Sequence, residues 1–329
     1  MATNMKRVLV TASLSQPGRA VFAERDDIEV VDFPHQLTGP EFLEVLENNA
    51  PVHGFILGAT RITDAELDAG REIQVVARVG VGYDAIDIPA MTARKVPVMI
   101  AGIANSPSVA EEAMFMMLNL AKRANELDAM VRENRWLDRF VTVPFDLYGK
   151  NVLVVGFGRI GSRTAKRCNA MEMNVLVYDP YKSEAEIGAA GCTAVKDLNE
   201  AIERADFISI HCPKTPETLN MFNGDRIGRM KPTAYLVNTA RGGIINEADL
   251  LVALTEKKIA GAGLDVLELE PPSEDNPLLK LDNIILAPHM AGVTKEAMER
   301  MGHAAAKNVL SVFDGVPIRE NMINPEILD

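Results

Sequence analysis

Three side chains suited to acid–base or charge-clamping chemistry follow apolar runs in the second half of the chain. They are Arg241 after YLVNTA, Glu270 after GLDVLEL and His289 after NIILAP. The apolar runs read as strands, and in a parallel α/β sheet the side chains just beyond strand C-termini converge on one crevice. A histidine there can deliver or take a proton near neutral pH. A carboxylate beside that imidazole fixes its tautomer and favours its protonated form. An arginine can hold a carboxylate through two parallel hydrogen bonds and polarise a carbonyl. The set suits reduction of a ketone, in which hydride addition leaves an alkoxide that needs a proton. Taken singly, each residue is commonplace: a histidine after proline is usually structural, and Arg-Gly-Gly is usually a turn. Their joint placement carries the reading, with Arg241, Glu270 and His289 as the catalytic candidates.

Upstream, VLVVGFGRIG sets Gly156, Gly158 and Gly161 in G-x-G-x-x-G spacing, directly after an apolar strand and at the start of a helical stretch. Gly156 permits a tight turn, Gly158 lets a pyrophosphate approach the backbone, and Gly161 allows close packing of helix on strand. The helix N-terminus then offers N–H groups and partial positive charge to phosphates. The next strand, NVLVYD, ends in Asp179, eighteen residues after Gly161. A carboxylate there can bond the adenosine ribose and repel the extra phosphate of NADP. The bland alternative is a turn residue before Pro180. Strand, fingerprint, helix, strand and acid in that order point to a dinucleotide site for NAD. A second glycine pair, Gly80 and Gly82 in ARVGVGYDAID, lacks the third glycine. It is either a plain tight turn or a nest of backbone N–H groups for a carboxylate, and the residues alone leave both open.

The elements that must position these groups fit a chain of two domains. At 329 residues there is length for two cores, and 47% hydrophobic with 24% charged residues is ordinary globular composition. A net charge of −12 repels nucleic acid and acidic membranes, so an anionic substrate needs locally placed donors. Cys168, Cys192 and Cys212 are scattered and odd in number, which argues against a disulfide framework or a zinc site and fits a reducing compartment. The opening MATNMKRVLVTASLSQ lacks the apolar run of a signal peptide, and no stretch approaches a membrane span. The expectation is a cytoplasmic enzyme with no metal, no nucleic acid and no membrane partner.

Short β-rich runs alternate with helical patterns. Val8–Val10, EVVDF, GFIL at 54–57, IQVVARV at 73–79 and VPVMI at 96–100 form a first series, with a helix-like segment from Glu41 to Leu46. Apolar spacing predicts one long helix from Ser106 to Trp136, with Ser106 as N-cap and Pro107 first. Met114, Met116 and Met117 on it suit a core or a subunit interface better than a sulfur cluster. A second series follows: NVLVVG, NVLVYD, DFISIHC, AYLVNTA, AGAGLDV and NIILAPH, nearly all apolar, as strands buried on both faces should be. A last amphipathic helix runs from Lys295 to Phe313. The fold class is α/β in two domains. A Rossmann-type doubly wound nucleotide domain (105–294) is inserted in a smaller flavodoxin-like α/β substrate domain (1–104 and 295–329).

GFGRIG, NTARGGIINEADL, GAGLDVLELEPP and LAPHMAG resemble the signature segments of the D-isomer-specific 2-hydroxyacid dehydrogenases, the family of phosphoglycerate and glycerate dehydrogenases. RVGVGYDAIDI and NSPSVAEEAMFMMLNLAKR resemble it too, so the likeness spans almost the whole chain. The resemblance implies an NAD-dependent dehydrogenase in which Arg241 binds substrate, His289 donates and accepts the proton, and Glu270 pairs with His289. It implies that Val81 and Gly82 present N–H groups to the substrate carboxylate. It also implies that Arg159, Ile160, Thr239, Ala240 and Asp265 line the cofactor beside the three fingerprint glycines. A homodimer joined through the nucleotide domain is implied, with hinges near Asn105 and Val293–Thr294. Trp136 then falls on the dimer arm, though a core tryptophan is the equal alternative.

One departure bears on substrate. Phosphoglycerate-type members often carry a phosphate-binding arginine in the segment matching GFILGATRIT, where this chain has Leu57, with Arg61 farther on. The sequence given also ends at Asp329, without the regulatory domain of many such enzymes. Phosphoglycerate is therefore not the expected substrate. A formate dehydrogenase would carry glutamine in place of Glu270. An NADH-sensing module of the corepressor type, built on the same fold, is the alternative from another functional class.

Overall fold

The computed structural model describes residues 5–35, 37–141 and 143–329. Residues 1–4, on which part of the reading of the N-terminus rests, lie outside the described residues. The chain divides into two compact units, one made of Met1–Asn105 with Gly292–Asp329, the other of Ser106–Ala291.

In the first unit the strands β1 (Lys6–Thr11), β2 (Ile28–Phe33), β3 (Val52–Leu57), β4 (Arg71–Arg78) and β5 (Val98–Met99) form a parallel sheet in the order β2-β1-β3-β4-β5. That is the flavodoxin-like doubly wound order. Central β3 is buried along its whole length, which explains why VHGFIL shows no polar alternation. The helix Lys295–Phe313 begins at the N-cap Thr294 and packs Ala305, Ala306 and Val309 against Val8, Val10, Ile56 and Val75. Leu57 is fully buried and packs with Leu9, Phe55 and Val76. Its apolar character therefore follows from its place in the core, and the inference drawn from it about phosphate loses its footing.

In the second unit β6 (Asn151–Val155), β7 (Asn174–Tyr178), β8 (Thr193–Ala194), β9 (Phe207–Ile210), β10 (Tyr235–Asn238), β11 (Gly261–Leu264) and β12 (Ile284–Leu286) form a seven-stranded parallel sheet. The order is β12-β11-β10-β9-β6-β7-β8, which reverses between β6 and β9. Ligands of doubly wound sheets bind at such a switch point, outside the strand C-termini. One face packs Leu153, Ile208, Leu236 and Ala262 into a core, the other Val154, Phe207 and Val237.

The long helix expected over 106–136 is two helices. Ser106–Lys122 ends at Arg123, which is left-handed (φ 51°), and Ala124–Arg132 follows. Ser106 itself opens the first helix, so Pro107 stands second in it. The break is made from outside the segment: Phe145 donates its N–H to the Ala121 carbonyl, and Lys122 reaches the Phe145 carbonyl. The turn re-aims the apolar stripe, so that Met130 is buried while Val131 is exposed. Met114, Met116 and Met117 are all core. Trp136 is 62% exposed and sits in a short helical turn with exposed Leu137 and Phe140, so the core alternative for it is wrong. Among the described residues no helix is long and apolar enough to cross a membrane.

Candidate active site

The β6 turn carries the three glycines, and at two of them the fold itself excludes a side chain. Gly156 is at φ +94°, and a Cβ on it would lie 2.8 Å from the backbone of His211 and Cys212. A Cβ on Gly161 would lie 1.9 Å from the Gly156 carbonyl oxygen, so the helix Gly161–Ala170 can start where it does only with glycine. At Gly158 a Cβ would meet nothing within 4 Å. That open space against bare backbone at a helix N-terminus is the cradle a pyrophosphate requires. These residues fit a dinucleotide.

Asp179, one residue past β7, does more than the sequence reading gave it. Its carboxylate accepts the N–H of Phe157 inside the glycine turn (2.6 Å) and that of Tyr181 (2.9 Å). The acid thus braces the loop as well as standing at the expected ribose position. Asp179→Ala is expected to slow use of both cofactors and to narrow the NADH-to-NADPH ratio of kcat/KM. The ratio is the diagnostic quantity, because loop damage is common to both. A wild-type preference for NADPH would refute the ribose assignment.

Past β10, β11 and β12 the second unit gathers the catalytic candidates. His289 Nδ1 lies 2.7 Å from Glu270 Oε2, and Glu270 Oε1 accepts the Leu267 N–H at 2.9 Å. Both carboxylate oxygens are therefore engaged, which sets the imidazole plane and leaves the other ring nitrogen outward. The two side chains are 49% and 38% exposed, so the pair orients rather than stabilises. Arg241 is held at its backbone by Asn238, whose side-chain amide donates to the Arg241 carbonyl and whose oxygen accepts the Ala240 N–H, both at 2.9 Å. Asn238 went unnoticed in the sequence, although an asparagine closing the apolar run YLV was a signal.

Asp265 was expected to line the cofactor, and it also grips the histidine loop. Its carbonyl accepts the His289 N–H (2.8 Å), and its carboxylate accepts those of Met290 (2.7 Å) and Ala291 (3.0 Å). His289 adopts a left-handed conformation (φ 55°), which such a clamp sustains. Burial pushes the Asp265 carboxyl up, against the pull of those N–H donors. In the first unit, Arg78 donates to the Gly82 carbonyl (3.0 Å) and Ala101 to that of Gly80 (2.8 Å). This pins the Gly80–Gly82 loop, and among the described residues no group accepts the N–H of Val81 or Gly82.

This geometry has known counterparts. Residues 114–291 match the NAD binding domain of the D-isomer specific 2-hydroxyacid dehydrogenases. The D-3-phosphoglycerate dehydrogenase of Archaeoglobus fulgidus is 38% identical over 88% of this chain and 55% of its own length. The glyoxylate reductase of Thermofilum pendens is 37% identical over 98% of this chain and 95% of its own. The crystal structure of the Aquifex aeolicus D-lactate dehydrogenase with NAD and lactic acid superposes with a TM-score of 0.82 at 29% identity, over 96% of this chain and 99% of that one. The chain belongs to the D-isomer-specific 2-hydroxyacid dehydrogenase family. It spans 55–60% of the length of the D-3-phosphoglycerate dehydrogenases of Archaeoglobus fulgidus, Methanocaldococcus jannaschii and Synechocystis.

Proposed function

We propose that this protein is an NAD-dependent dehydrogenase that interconverts a short 2-keto acid and the corresponding D-2-hydroxy acid. The observation that carries the reading is the 2.7 Å pair of His289 and Glu270 on the same sheet edge as the glycine fingerprint. Bound NADH supplies the hydride. His289 gives its proton to the developing alkoxide, and Glu270 holds the imidazole in the productive tautomer. Arg241 in its unit is a substrate-binding donor, and so, in the unit of β1–β5, are the N–H groups of Val81 and Gly82; a net charge of −12 makes such local carboxylate donors necessary. Arg159, Ile160, Thr239, Ala240 and Asp265 line the cofactor beside Gly156, Gly158, Gly161 and Asp179. The domain containing β1–β5 binds substrate. The exposed apolar turn at Trp136 supports a homodimer, and scattered free cysteines support a cytoplasmic location.

An unphosphorylated substrate such as glyoxylate or hydroxypyruvate is the reading that the acidic surface favours, since a phosphate dianion without a charged partner is poorly compensated. The test follows NADH absorbance with hydroxypyruvate and 3-phosphohydroxypyruvate under identical conditions. Faster turnover with hydroxypyruvate than with the phosphorylated acid is expected. A tenfold preference for the phosphorylated acid, about 1.4 kcal/mol in transition-state binding, would overturn the substrate class. NADH binding with no turnover of any 2-keto acid would instead favour the corepressor-like module.

A further inference from the structure

The loops that carry Arg241 and Glu270 are fastened to each other by two glutamates that have had no role. Arg241 lies in the stretch between β10 and the helix Glu247–Thr255, and Glu270 in the stretch after β11. Glu247 donates its N–H to Glu268 Oε1 (2.9 Å), and Glu268 donates its own N–H to Glu247 Oε1 (2.5 Å). Each residue gives its backbone to the other's side chain, an exchange that fixes both the spacing and the direction between the loops. In one direction the bond is a helix cap supplied from outside. Glu247 is the first residue of its helix, where the N–H has no partner within the helix. The N-cap, Asn246, serves the Asp249 N–H instead (3.0 Å). In the other direction the bond holds the Glu270 loop.

That loop has few other fastenings past Asp265. The Leu267 side chain is buried in the core, but its N–H goes to Glu270 Oε1, inside the loop itself (2.9 Å). Among the described residues the Glu268 N–H is the first backbone donor beyond Asp265 to reach outside the loop, and Glu247 takes it. Two consecutive N–H groups, those of Leu267 and Glu268, are thus held by Glu270 and Glu247 in turn. Gly242 adds a steric contact to the polar one, since a Cβ on it would lie 1.8 Å from the Leu267 carbonyl oxygen. A charge on Glu247 is not what the place favours. Burial pushes its carboxyl up and the carboxylates of Glu268 and Glu270 push the same way, against the pull of the Glu268 N–H and the Asn276 side chain. What the side chain supplies is an oxygen at the right reach.

We propose that Glu247 is a positioning residue for proton transfer. By holding the Glu268 N–H it keeps the loop that ends in Glu270, and with it the imidazole of His289, in register with the loop that starts at Arg241. Glu247 acts through Glu270 and His289, not on the substrate. Glu268 has the lesser part: its carboxylate caps a helix, while its backbone is what Glu247 holds. The inference rests on the dehydrogenase reading of the site.

The test separates the bond from the charge. Glu247→Asp keeps a charge that a helix N-terminus favours, but is one methylene too short to reach the Glu268 N–H. Glu247→Gln loses the charge and keeps an oxygen at the same reach. Rates of 2-keto acid reduction at saturating NADH are measured for both, in the wild-type and the His289→Gln backgrounds. Tm and exchange of the Glu268 amide hydrogen, followed by NMR, accompany them. Glu247→Asp is expected to keep its Tm, to lose protection of the Glu268 amide and to lower kcat by about tenfold or more, towards the 10² that a displacement near 1 Å costs. Its KM for the keto acid and its Kd for NADH are expected to stay within about threefold, because Asn238 holds the Arg241 backbone independently. Glu247→Gln is expected to recover both the protection and the rate. Over His289→Gln, Glu247→Asp is expected to change kcat hardly at all, since it acts through the histidine. A smaller loss of kcat for Glu247→Asp overturns the proposal, as does a Glu247→Gln rate equally low, a loss undiminished over His289→Gln, or a parallel loss of NADH affinity. A wild type that reduces no 2-keto acid while the Glu268 amide stays protected would defeat the dehydrogenase reading. An active wild type matched in rate by Glu247→Asp would defeat the brace alone.

Discussion

Replacing His289 with glutamine is expected to lower kcat for 2-keto acid reduction by about 10² to 10⁴, with NADH affinity unchanged. The factor is the usual contribution of a positioned proton donor, and glutamine keeps a polar side chain of similar reach while losing the proton. Nothing structural should follow, because the clamp on this loop runs from Asp265 to the backbone of His289, Met290 and Ala291. Glu270→Gln should cost less, since its one amide oxygen can still accept from Nδ1 across the 2.7 Å gap, at the expense of the Leu267 N–H, which then faces the amide NH2. Once His289 is gone, adding Glu270→Gln should change kcat hardly at all, because the acid acts through the imidazole. Steady-state rates with saturating NADH and an independent NADH titration provide the check. A kcat for His289→Gln within tenfold of wild type would remove the histidine from the chemistry, and additive losses in the double variant would remove Glu270 from its partnership.

Gly242→Ala should be nearly as damaging for a different reason. A Cβ on Gly242 would lie 1.8 Å from the Leu267 carbonyl oxygen and 2.3 Å from its carbon, so backbone must move. The N–H of Leu267 is what Glu270 Oε1 accepts, so that movement shifts the residue holding His289. It also shifts the turn that begins at Arg241. A misplacement near 1 Å costs about 10² in rate, and overpacking costs about 1–3 kcal/mol in stability. The expected result is a kcat/KM lower by about that factor, with a reduced Tm. Gly188→Ala is the control: it lies in the helix Glu184–Ala189 with nothing within 4 Å of a Cβ, so it should be neutral or mildly stabilising. If Gly242→Ala keeps kcat/KM within threefold, the rigid contact between the two loops is not what sets the site.

Most of the strands and the glycine fingerprint were legible because each rests on local physics. Strands covered on both faces read as unbroken apolar runs, and a backbone approached by phosphate must lack side chains. What was not legible depends on partners far away in the chain. The helix break at Arg123 is made by Phe145 bonding back to Ala121, which no spacing within 106–136 could reveal. Leu57 was weighed as a missing charge, whereas its position in β3 makes it a core residue. Arg241, Glu270 and His289 were recognisable by type and by their place after strands. Asp265 gave no hint that its carboxylate would hold two consecutive N–H groups of the histidine loop.

The position of Trp136 has a spectroscopic consequence. It is the one tryptophan in the chain, and it stands 62% exposed on a short turn outside both cores of its unit. Indole emission therefore reports almost nothing about the packing of either sheet, and unfolding that exposes Phe207 or Leu236 leaves the indole nearly as wet as before. The same signal is well placed to register anything that covers the turn, since desolvation of an exposed indole shifts its emission to shorter wavelength. The intrinsic fluorescence of this protein is a gauge of the cover over that one turn, and melting curves are better followed by circular dichroism.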